Sequence, residues 1–173
     1  MEFETKTISR QIGDLLYGSN YTVGTAESCT GGRIGEALIA IPGASNYFKG
    51  GIISYTNEVK ENLWQVSHAT LEAQTAVCED VARPMALGAI KALNVDFAVS
   101  VTGVAGPGGG TPDIPVGTIW IACGTKDNIR TLKLENDFGR DINLAIATNK
   151  ALRLLLQVVT ERLNEDEENE KNP

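Results

Sequence analysis

The strongest constraint on the fold is that short apolar segments alternate with helical patterns along most of the chain. Strands are predicted over Tyr21 to Ala26, Phe48 to Tyr55 and Phe97 to Val101, and each runs into a polar loop. Apolar strands separated by helices are typical of α/β proteins whose sheet is mainly parallel. Two further strands, Val116 to Cys123 and Ile129 to Leu134, follow each other without a helix, which predicts one antiparallel member.

The helical segments carry apolar residues at the spacing of an amphipathic helix. They are predicted over residues 1–17, over the segment between Gly32 and Pro42, and over Glu58 to Trp64, Glu79 to Leu93 and Ile142 to Leu163. Because the sequence has no internal repeat and no interior linker, we expect one domain over residues 1–163. Residues 164–173 are acidic and too polar to bury, so we expect them to form a disordered tail, with a frayed helix end as the alternative.

Composition and charge exclude several classes of function. The net charge of -7 disfavours general binding to nucleic acid, because phosphate backbones favour a basic surface. No segment approaches the roughly 18 uninterrupted apolar residues that a membrane span needs, and residues 1–10 do not resemble a secretory signal. Cys29, Cys78 and Cys123 are odd in number and scattered, which argues against a disulfide framework and fits a reducing cytoplasm.

Metal ligands are scarce, and so are partners for a serine–histidine triad. His68 is the only histidine, and the cysteines lack the CxxC spacing of zinc sites, so we expect neither a metal nor a cofactor. His68 lies between helical patterns, where a surface or capping role is the more ordinary interpretation. A serine enzyme with this sequence would more naturally use a lysine as its base.

Polar residues concentrate in three loops that follow strands, where ligands of open α/β sheets usually bind. The first loop carries the hydroxyls of Ser28 and Thr30 and then Gly31 and Gly32, before a helix. Unpaired amides at a helix start can hold an anion or a developing oxyanion, and Ser28 lies where a nucleophile would benefit. The alternative is that Ser28 or Thr30 simply caps the helix.

The second loop gathers several polar side chains within one short segment, namely Ser54, Tyr55, Asn57, Glu58 and Lys60. A lysine that is partly desolvated can have its pKa lowered enough to accept a proton from a serine. A tyrosine hydroxyl can relay that proton or orient the nucleophile. Taken alone, Lys60 is more ordinarily interpreted as an exposed surface lysine.

The third loop, residues 102–112, has the most unusual composition. It contains five glycines, Gly103, Gly106, Gly108, Gly109 and Gly110. Glycines let the backbone approach a ligand closely and turn its amides inward, as phosphate-binding loops do. The alternative is a flexible linker between two strands. Arg140, at the start of the last helix, could supply a positive charge for a phosphate, or could pair with Asp141 or another surface acid.

Four motifs together resemble one family. They are TAESCTGG over residues 25–32, GIISYTNEVK over 51–60, TGVAGP over 102–107 and PVGT over 115–118. In this order and at this spacing they resemble the CinA C-terminal domain family, and the resemblance extends over roughly residues 5 to 160. It implies a three-layer α/β/α fold with a mixed, mainly parallel sheet and no metal.

The resemblance also implies an activity, because members of that family are nicotinamide-nucleotide amidases of pyridine nucleotide salvage. These enzymes hydrolyse nicotinamide mononucleotide to nicotinate mononucleotide and ammonia. By this resemblance Ser28 is expected to be the nucleophile, Lys60 its base and Tyr55 a hydroxyl partner. The resemblance and the loop patterns together give the candidate substrate-binding residues Thr30, Gly31, Gly32, Thr102, Gly103, Ala105, Gly106 and Arg140. A cytoplasmic homodimer is expected.

One residue departs from the family pattern, and two other classes of function stay open. The family often carries a basic residue before its PVGT motif, where this chain has Ile114. A catalytically inactive relative would keep the pocket as a nucleotide-binding or partner-binding module and release no ammonia. A different amidohydrolase, or an enzyme acting on phosphate esters, could use the same serine on another substrate.

Overall fold

A computed structural model describes residues 2–171 of the chain, which form one five-stranded mixed sheet and its flanking helices. The elements in chain order are α1 (Phe3–Leu16), β1 (Val23–Glu27), α2 (Arg33–Ile39), a 3₁₀ turn (Ala44–Asn46), β2 (Phe48–Ile53), α3 (Asn57–Trp64), α4 (His68–Gln74), α5 (Glu79–Leu93), β3 (Phe97–Gly103), β4 (Ile119–Gly124), β5 (Ile129–Leu134) and α6 (Arg140–Lys171).

The sheet has the strand order β2-β1-β3-β4-β5. Strands β1, β2 and β3 are parallel, while β4 is antiparallel to both of its neighbours, β3 and β5. The prediction of a mainly parallel sheet with one antiparallel member is therefore confirmed. Since β1, β2 and β3 run the same way, their carboxyl ends meet at one edge of the sheet, where the loops that follow them come together.

Helices cover both faces of the sheet, which confirms the three-layer α/β/α arrangement. Helices α1, α2 and α6 pack on one face around a large cluster that includes Val99, Val101 and Ile121. On the other face α3, α4 and α5 enclose a smaller cluster around Ala26, Ala98 and Met85. Because side chains alternate along a strand, neighbouring residues of β1 and β3 serve opposite layers.

Helix α6 is the one described helix that by length and composition could cross a membrane. Yet 56% of its most apolar 18-residue window is buried inside the protein. Leu144, Ala151, Leu152 and Leu155 of this window belong to the larger core cluster. The helix is therefore apolar because it fills one layer of the core.

The structure differs from the sequence predictions in two places. Helix α4 was not predicted, because its seven residues carry a single buried apolar side chain, Leu71, and so lack a helical period. The expected disordered tail is helical as far as Lys171, because α6 continues through it, and residues 172–173 lie outside the described part. Asp166 explains the continuation, since it accepts hydrogen bonds from Tyr21 of the domain and from Arg162 one turn earlier.

Candidate active site

The three loops predicted to carry the chemistry meet at the carboxyl edge of β1, β2 and β3. They enclose an open cavity of about 260 Å³. Its lining consists of Ser28, Cys29, Tyr55, Asn57, Lys60, Ala76, Val77, Thr102, Gly103, Val104, Ala105, Gly106, Gly108, Gly109 and Arg140. Larger clefts of about 310, 480 and 490 Å³ lie elsewhere, but none of the three is lined by a serine or a cysteine. The residues that line the cavity at the carboxyl edge of β1, β2 and β3, rather than its volume, make it the candidate active site.

A buried serine–lysine pair lies at the base of the cavity. The Lys60 Nζ is 3.0 Å from the Ser28 Oγ, 2.8 Å from the Ser54 carbonyl oxygen and 3.1 Å from the Tyr55 carbonyl oxygen. Only 6% of Ser28 and 1% of Lys60 is exposed to solvent. Burial lowers the pKa of Lys60 from 10.5 to about 8. A neutral amine could keep two N–H groups on the carbonyls and direct its lone pair at the Ser28 hydroxyl.

The local sequence explains how Lys60 reaches Ser28. Thr56 caps α3 through its hydroxyl, which accepts a hydrogen bond from the Val59 amide. Lys60 follows in the first turns of this helix. Side chains of a helix lean toward its N-terminus, so Lys60 extends back to the end of β2 and across to β1. The Ser28 backbone is held in turn, because its amide donates to the Val101 carbonyl at 2.9 Å.

Glu27, the residue before Ser28, binds the start of α2, a role that was not predicted from the sequence. Its carboxylate is 1% exposed and accepts four hydrogen bonds. The donors are the hydroxyl of Thr30 at 2.7 Å and the amides of Gly32, Ile34 and Gly35 at 3.0, 3.1 and 2.9 Å. An acidic residue shortly before a helix start is a known source of such capping, and that signal was present in the sequence.

The capping alternative for Ser28 and Thr30 is therefore wrong in its simple form. Helix α2 begins after Gly32, whose φ of 99° is left-handed. As a glycine, this N-cap residue provides no side-chain hydrogen bond to the helix. The Ser28 hydroxyl instead accepts the hydrogen bond from Lys60, and the Thr30 hydroxyl donates to Glu27. The cavity is not lined by Thr30, Gly31 or Gly32. The structure therefore does not bring these three expected substrate residues to the cavity.

The third loop forms the opposite wall of the cavity. Gly103 is required by close packing, because a Cβ there would lie 2.7 Å from the Ile119 Cα and 2.8 Å from the Thr118 carbonyl oxygen. The Thr102 hydroxyl donates to the Ala76 carbonyl at 2.8 Å and so fixes a neighbouring part of the wall. In the part of the chain that the structure describes, the buried amides of Ala105 and Gly106 have no hydrogen-bond partner.

Arg140 joins this loop to the start of α6. Its guanidinium donates to the Gly106 carbonyl at 2.7 Å and makes no ion pair with an acid among residues 2–171. Asn143, which the sequence analysis missed, is 2% exposed and donates to the Ala105 carbonyl at 3.0 Å. The two carbonyls are thus tied to α6, while further guanidinium N–H groups of Arg140 stay available to a ligand.

Tyr55 contacts Lys60 through its backbone carbonyl, whereas its side-chain hydroxyl was the group expected to act. Its carbonyl accepts a hydrogen bond from Lys60, but within residues 2–171 its phenol hydroxyl has no hydrogen-bond partner. The residue is 62% exposed and its side chain lies at the cavity. The hydroxyl therefore has no contact with the Ser28–Lys60 pair in this structure.

The other residues singled out in the sequence lie apart from the cavity chemistry. His68 is exposed and contacts Glu61 and Glu72. Ile114 lies in a turn closed by hydrogen bonds with Thr111 and does not line the cavity. Within residues 2–171 no group of three or more His, Cys, Asp or Glu side chains could hold a metal.

Cys29, the neighbour of Ser28, is a free cysteine that lines the cavity. Burial raises the pKa of its thiol to about 12. The thiol therefore stays protonated at neutral pH and is a poor nucleophile there, because the thiolate is the reactive form. Of the two adjacent candidates, Ser28 is the one with a base in contact.

Comparison with known proteins identifies the family. Residues 5–159 match the CinA C-terminal domain. The chain belongs to this family. A CinA-like protein of Leptospira borgpetersenii is 47% identical over 123 residues, which cover 71% of this chain and 29% of that protein. One of Cytophaga hutchinsonii is 36% identical over 159 residues, 92% of this chain and 38% of that protein. The chain thus spans about a third of the length of these CinA relatives.

Solved structures of CinA proteins share the fold. The competence/damage inducible protein CihA of Agrobacterium tumefaciens is 34% identical, with a TM-score of 0.88 over 91% of this chain and 97% of that one. A CinA superfamily protein of Escherichia coli is also 34% identical, with a TM-score of 0.82 over 91% of this chain and 93% of that one. The resemblance inferred from the four motifs is thereby confirmed, and the fold is that of crystallised CinA proteins.

Proposed function

We propose that this protein is a nicotinamide mononucleotide amidase, which hydrolyses the carboxamide of that nucleotide to nicotinate mononucleotide and ammonia. The observation that carries the proposal is the buried contact between the Lys60 Nζ and the Ser28 Oγ, with the pKa of Lys60 lowered to about 8. Such a pair can generate a nucleophile near neutral pH. The catalysis would be that of a cytoplasmic enzyme of pyridine nucleotide salvage.

The mechanism divides hydrolysis of a poor electrophile into two easier steps. Neutral Lys60 takes the proton from Ser28 as the Oγ bonds to the carboxamide carbon. The resulting ammonium returns that proton to the amide nitrogen, the C–N bond breaks and ammonia leaves. A water molecule then attacks the acyl-enzyme as Lys60 accepts its proton. Lys60 returns that proton to the Ser28 Oγ as the ester bond breaks and nicotinate mononucleotide is released. The pyridinium cation withdraws electrons and favours both attacks.

Backbone amides of the third loop are candidates for holding the oxyanion, and so are those of Cys29 and Thr30, which donate to no carbonyl or carboxylate within residues 2–171. The amides of Gly32, Ile34 and Gly35 are already bound to Glu27, and that of Gly31 donates to the Ser28 carbonyl. Ala105 and Gly106 have free amides at the cavity, which is the feature that an oxyanion site requires.

The charge of the cavity lining suits a phosphate and leaves one partner for a pyridinium ring. Of the lining residues within the described chain, Lys60 and Arg140 are basic and none is acidic, although the whole protein carries a net charge of -7. We assign the phosphate to Arg140 and the glycine loop. Tyr55 is the aromatic residue of this lining, and the face of its ring can attract a flat cation.

The direct test is ammonia release from a panel of nicotinamide mononucleotide, nicotinamide riboside and free nicotinamide. We expect the mononucleotide to be the best substrate and chelation of metals to leave its rate unchanged. Binding of the mononucleotide without release of ammonia would instead favour a nucleotide-binding module. Light scattering on the same preparation tests the homodimer that the family resemblance implies.

A further inference from the structure

The carboxylate of Glu27 organises the turn that carries Ser28. Its Oε2 accepts from the Thr30 hydroxyl and from the amides of Gly32 and Ile34, while Oε1 accepts from Gly35. These donors span the whole segment between the nucleophile and the first turn of α2. A single buried carboxylate thus replaces the separate caps that a helix start of this kind ordinarily needs.

Glu27 and Ser28 are adjacent but belong to opposite sides of the sheet. Glu27 lies near Thr25 and Phe48 on the side of α2, whereas Ser28 contacts Lys60 of α3 on the other side. The alternation of β1 continues to its last residue and produces this division. Glu27 therefore acts on the reaction through the backbone of the turn, without touching the substrate cavity.

The Ser28 backbone has little other restraint on its helix side. Its amide donates to Val101, and its carbonyl accepts from the Gly31 amide at 3.1 Å. Gly31 and Gly32 both have positive φ angles, 61° and 99°, so this stretch has the conformational freedom of glycine. Without the carboxylate, four donors would have to find water in a buried place, and other conformations of the turn would become accessible.

We infer that Glu27 is a positioning residue that fixes the Ser28 hydroxyl against Lys60 for attack. This inference rests on the proposed amidase function. The same carboxylate offsets the partial positive charge at the start of α2, so that this helix end does not attract the substrate phosphate. The consequence is that loss of the Glu27 carboxylate should slow acylation while the substrate contacts of Arg140 and Tyr55 stay in place.

The test is Glu27→Gln, which preserves shape but removes the charge and faces one amide NH₂ toward backbone donors. We expect kcat to fall by about 10- to 100-fold, the loss typical of a reacting group displaced by up to an ångström. The KM for nicotinamide mononucleotide should stay within about twofold, because the third loop is untouched. Glu27→Asp, which keeps the charge but is one methylene shorter, should not restore kcat.

Asp96→Asn is the matched control, because Asp96 also accepts hydrogen bonds from a backbone amide and a hydroxyl, both of Thr22, at the other end of the sheet. Melting temperatures of all variants separate loss of fold from loss of rate. A kcat for Glu27→Gln equal to that of Asp96→Asn would overturn the inference.

A second measurement keeps the inference independent of the substrate. The rate at which a fluorophosphonate labels Ser28 should fall in Glu27→Gln in parallel with kcat. If the unaltered protein releases no ammonia from any pyridine nucleotide, the proposed function fails, while slower labelling of the variant still supports the positioning role. Equal labelling rates in the folded variant and the unaltered protein would exclude that role.

Discussion

The two loops that face each other across the cavity use their backbone amides in different ways. In the β1–α2 turn, residues 28–32, the Gly32 amide donates to Glu27 and the Gly31 amide to the Ser28 carbonyl, whereas the amides of Cys29 and Thr30 donate to no carbonyl or carboxylate within residues 2–171. The β3–β4 loop, residues 104–118, ties the carbonyls of Ala105 and Gly106 to α6 and leaves their amides free. Both contain glycines and both lie beside a helix start. A glycine-containing loop of this kind can offer to an anion only those amides that no group of the protein has already bound.

We therefore distinguish the groups proposed to set the rate, namely Ser28, Lys60 and the amides that hold the oxyanion, from those proposed to bind the substrate. Changes at Ser28 and Lys60 should lower kcat, whereas changes at Arg140 and Tyr55 should raise KM.

The largest effect is expected for Ser28→Ala. Loss of the nucleophile should lower kcat by about 10³-fold or more, because the covalent pathway is removed. The folded variant should still bind nicotinamide mononucleotide, which calorimetry can measure, since the third loop is intact. Ser54→Ala is the control, because the Ser54 hydroxyl is also buried and has no hydrogen-bond partner within the described chain. Turnover close to normal in Ser28→Ala would remove this residue from the mechanism.

The next effect is expected at Lys60, in both rate and stability. If the neutral amine is the base, as proposed, kcat should rise with pH and level off above about 8, the pKa of the folded state. Lys60→Met should abolish this rise and lower kcat by about 10²- to 10⁴-fold, the usual contribution of a general base.

The stability of the Lys60→Met variant should change in the opposite direction. The pKa of Lys60 is lower in the folded protein, about 8 against 10.5, so the stability associated with the neutral amine is complete above 10.5 and is lost as the pH falls through 8. At pH 7 the variant should therefore melt at a higher temperature than the unaltered protein. A lower melting temperature would mean that the Lys60 side chain stabilises the folded protein, which would contradict the proposed destabilising burial of its charge.

Much of this arrangement could be predicted from the sequence. The alternating apolar strands gave the sheet and its single antiparallel member, and the motifs around Ser28 and Lys60 gave the family. Both depend on local patterns, either a repeat of two residues along a strand or a short string of residue types. The pairing of Ser28 with Lys60 followed from the family resemblance, since no local pattern links positions 32 residues apart.

The parts that could not be predicted depend on the direction of individual side chains. The predicted strand ended at Ala26, which left Glu27 in the following turn, whereas β1 extends to Glu27 and the alternation at its end directs that side chain toward α2. Asn143 lies inside a helix, where an asparagine is ordinarily exposed, yet it holds the Ala105 carbonyl and the Phe138 amide. The helical tail resulted from contacts with Tyr21, far away in the sequence.

A moderate effect on binding is expected for Arg140→Ala. A charged hydrogen bond contributes about 1.5–3 kcal/mol, so the KM for nicotinamide mononucleotide should rise by about 10- to 150-fold while kcat changes little. The riboside, which lacks the phosphate, should be affected much less. Arg153→Ala is a suitable control, since Arg153 lies on the same helix and pairs with Glu4 at the surface. Equal losses for the two substrates would make Arg140 a structural support of the Gly106 carbonyl.

The smallest effect is expected at Tyr55, where two substitutions distinguish substrate binding by the ring from proton transfer by the hydroxyl. Because the hydroxyl has no hydrogen-bond partner within residues 2–171, Tyr55→Phe should leave kcat and KM within about twofold of normal. Tyr55→Leu removes the aromatic face, and a lost cation–π contact of about 0.5–2 kcal/mol should raise KM by about 2- to 30-fold. Reduced nicotinamide mononucleotide, whose ring is uncharged, should bind both variants and the unaltered protein with similar affinity. A large fall in kcat for Tyr55→Phe would instead place the hydroxyl in the proton transfer, so that the rate-determining groups would extend to the exposed side of the cavity.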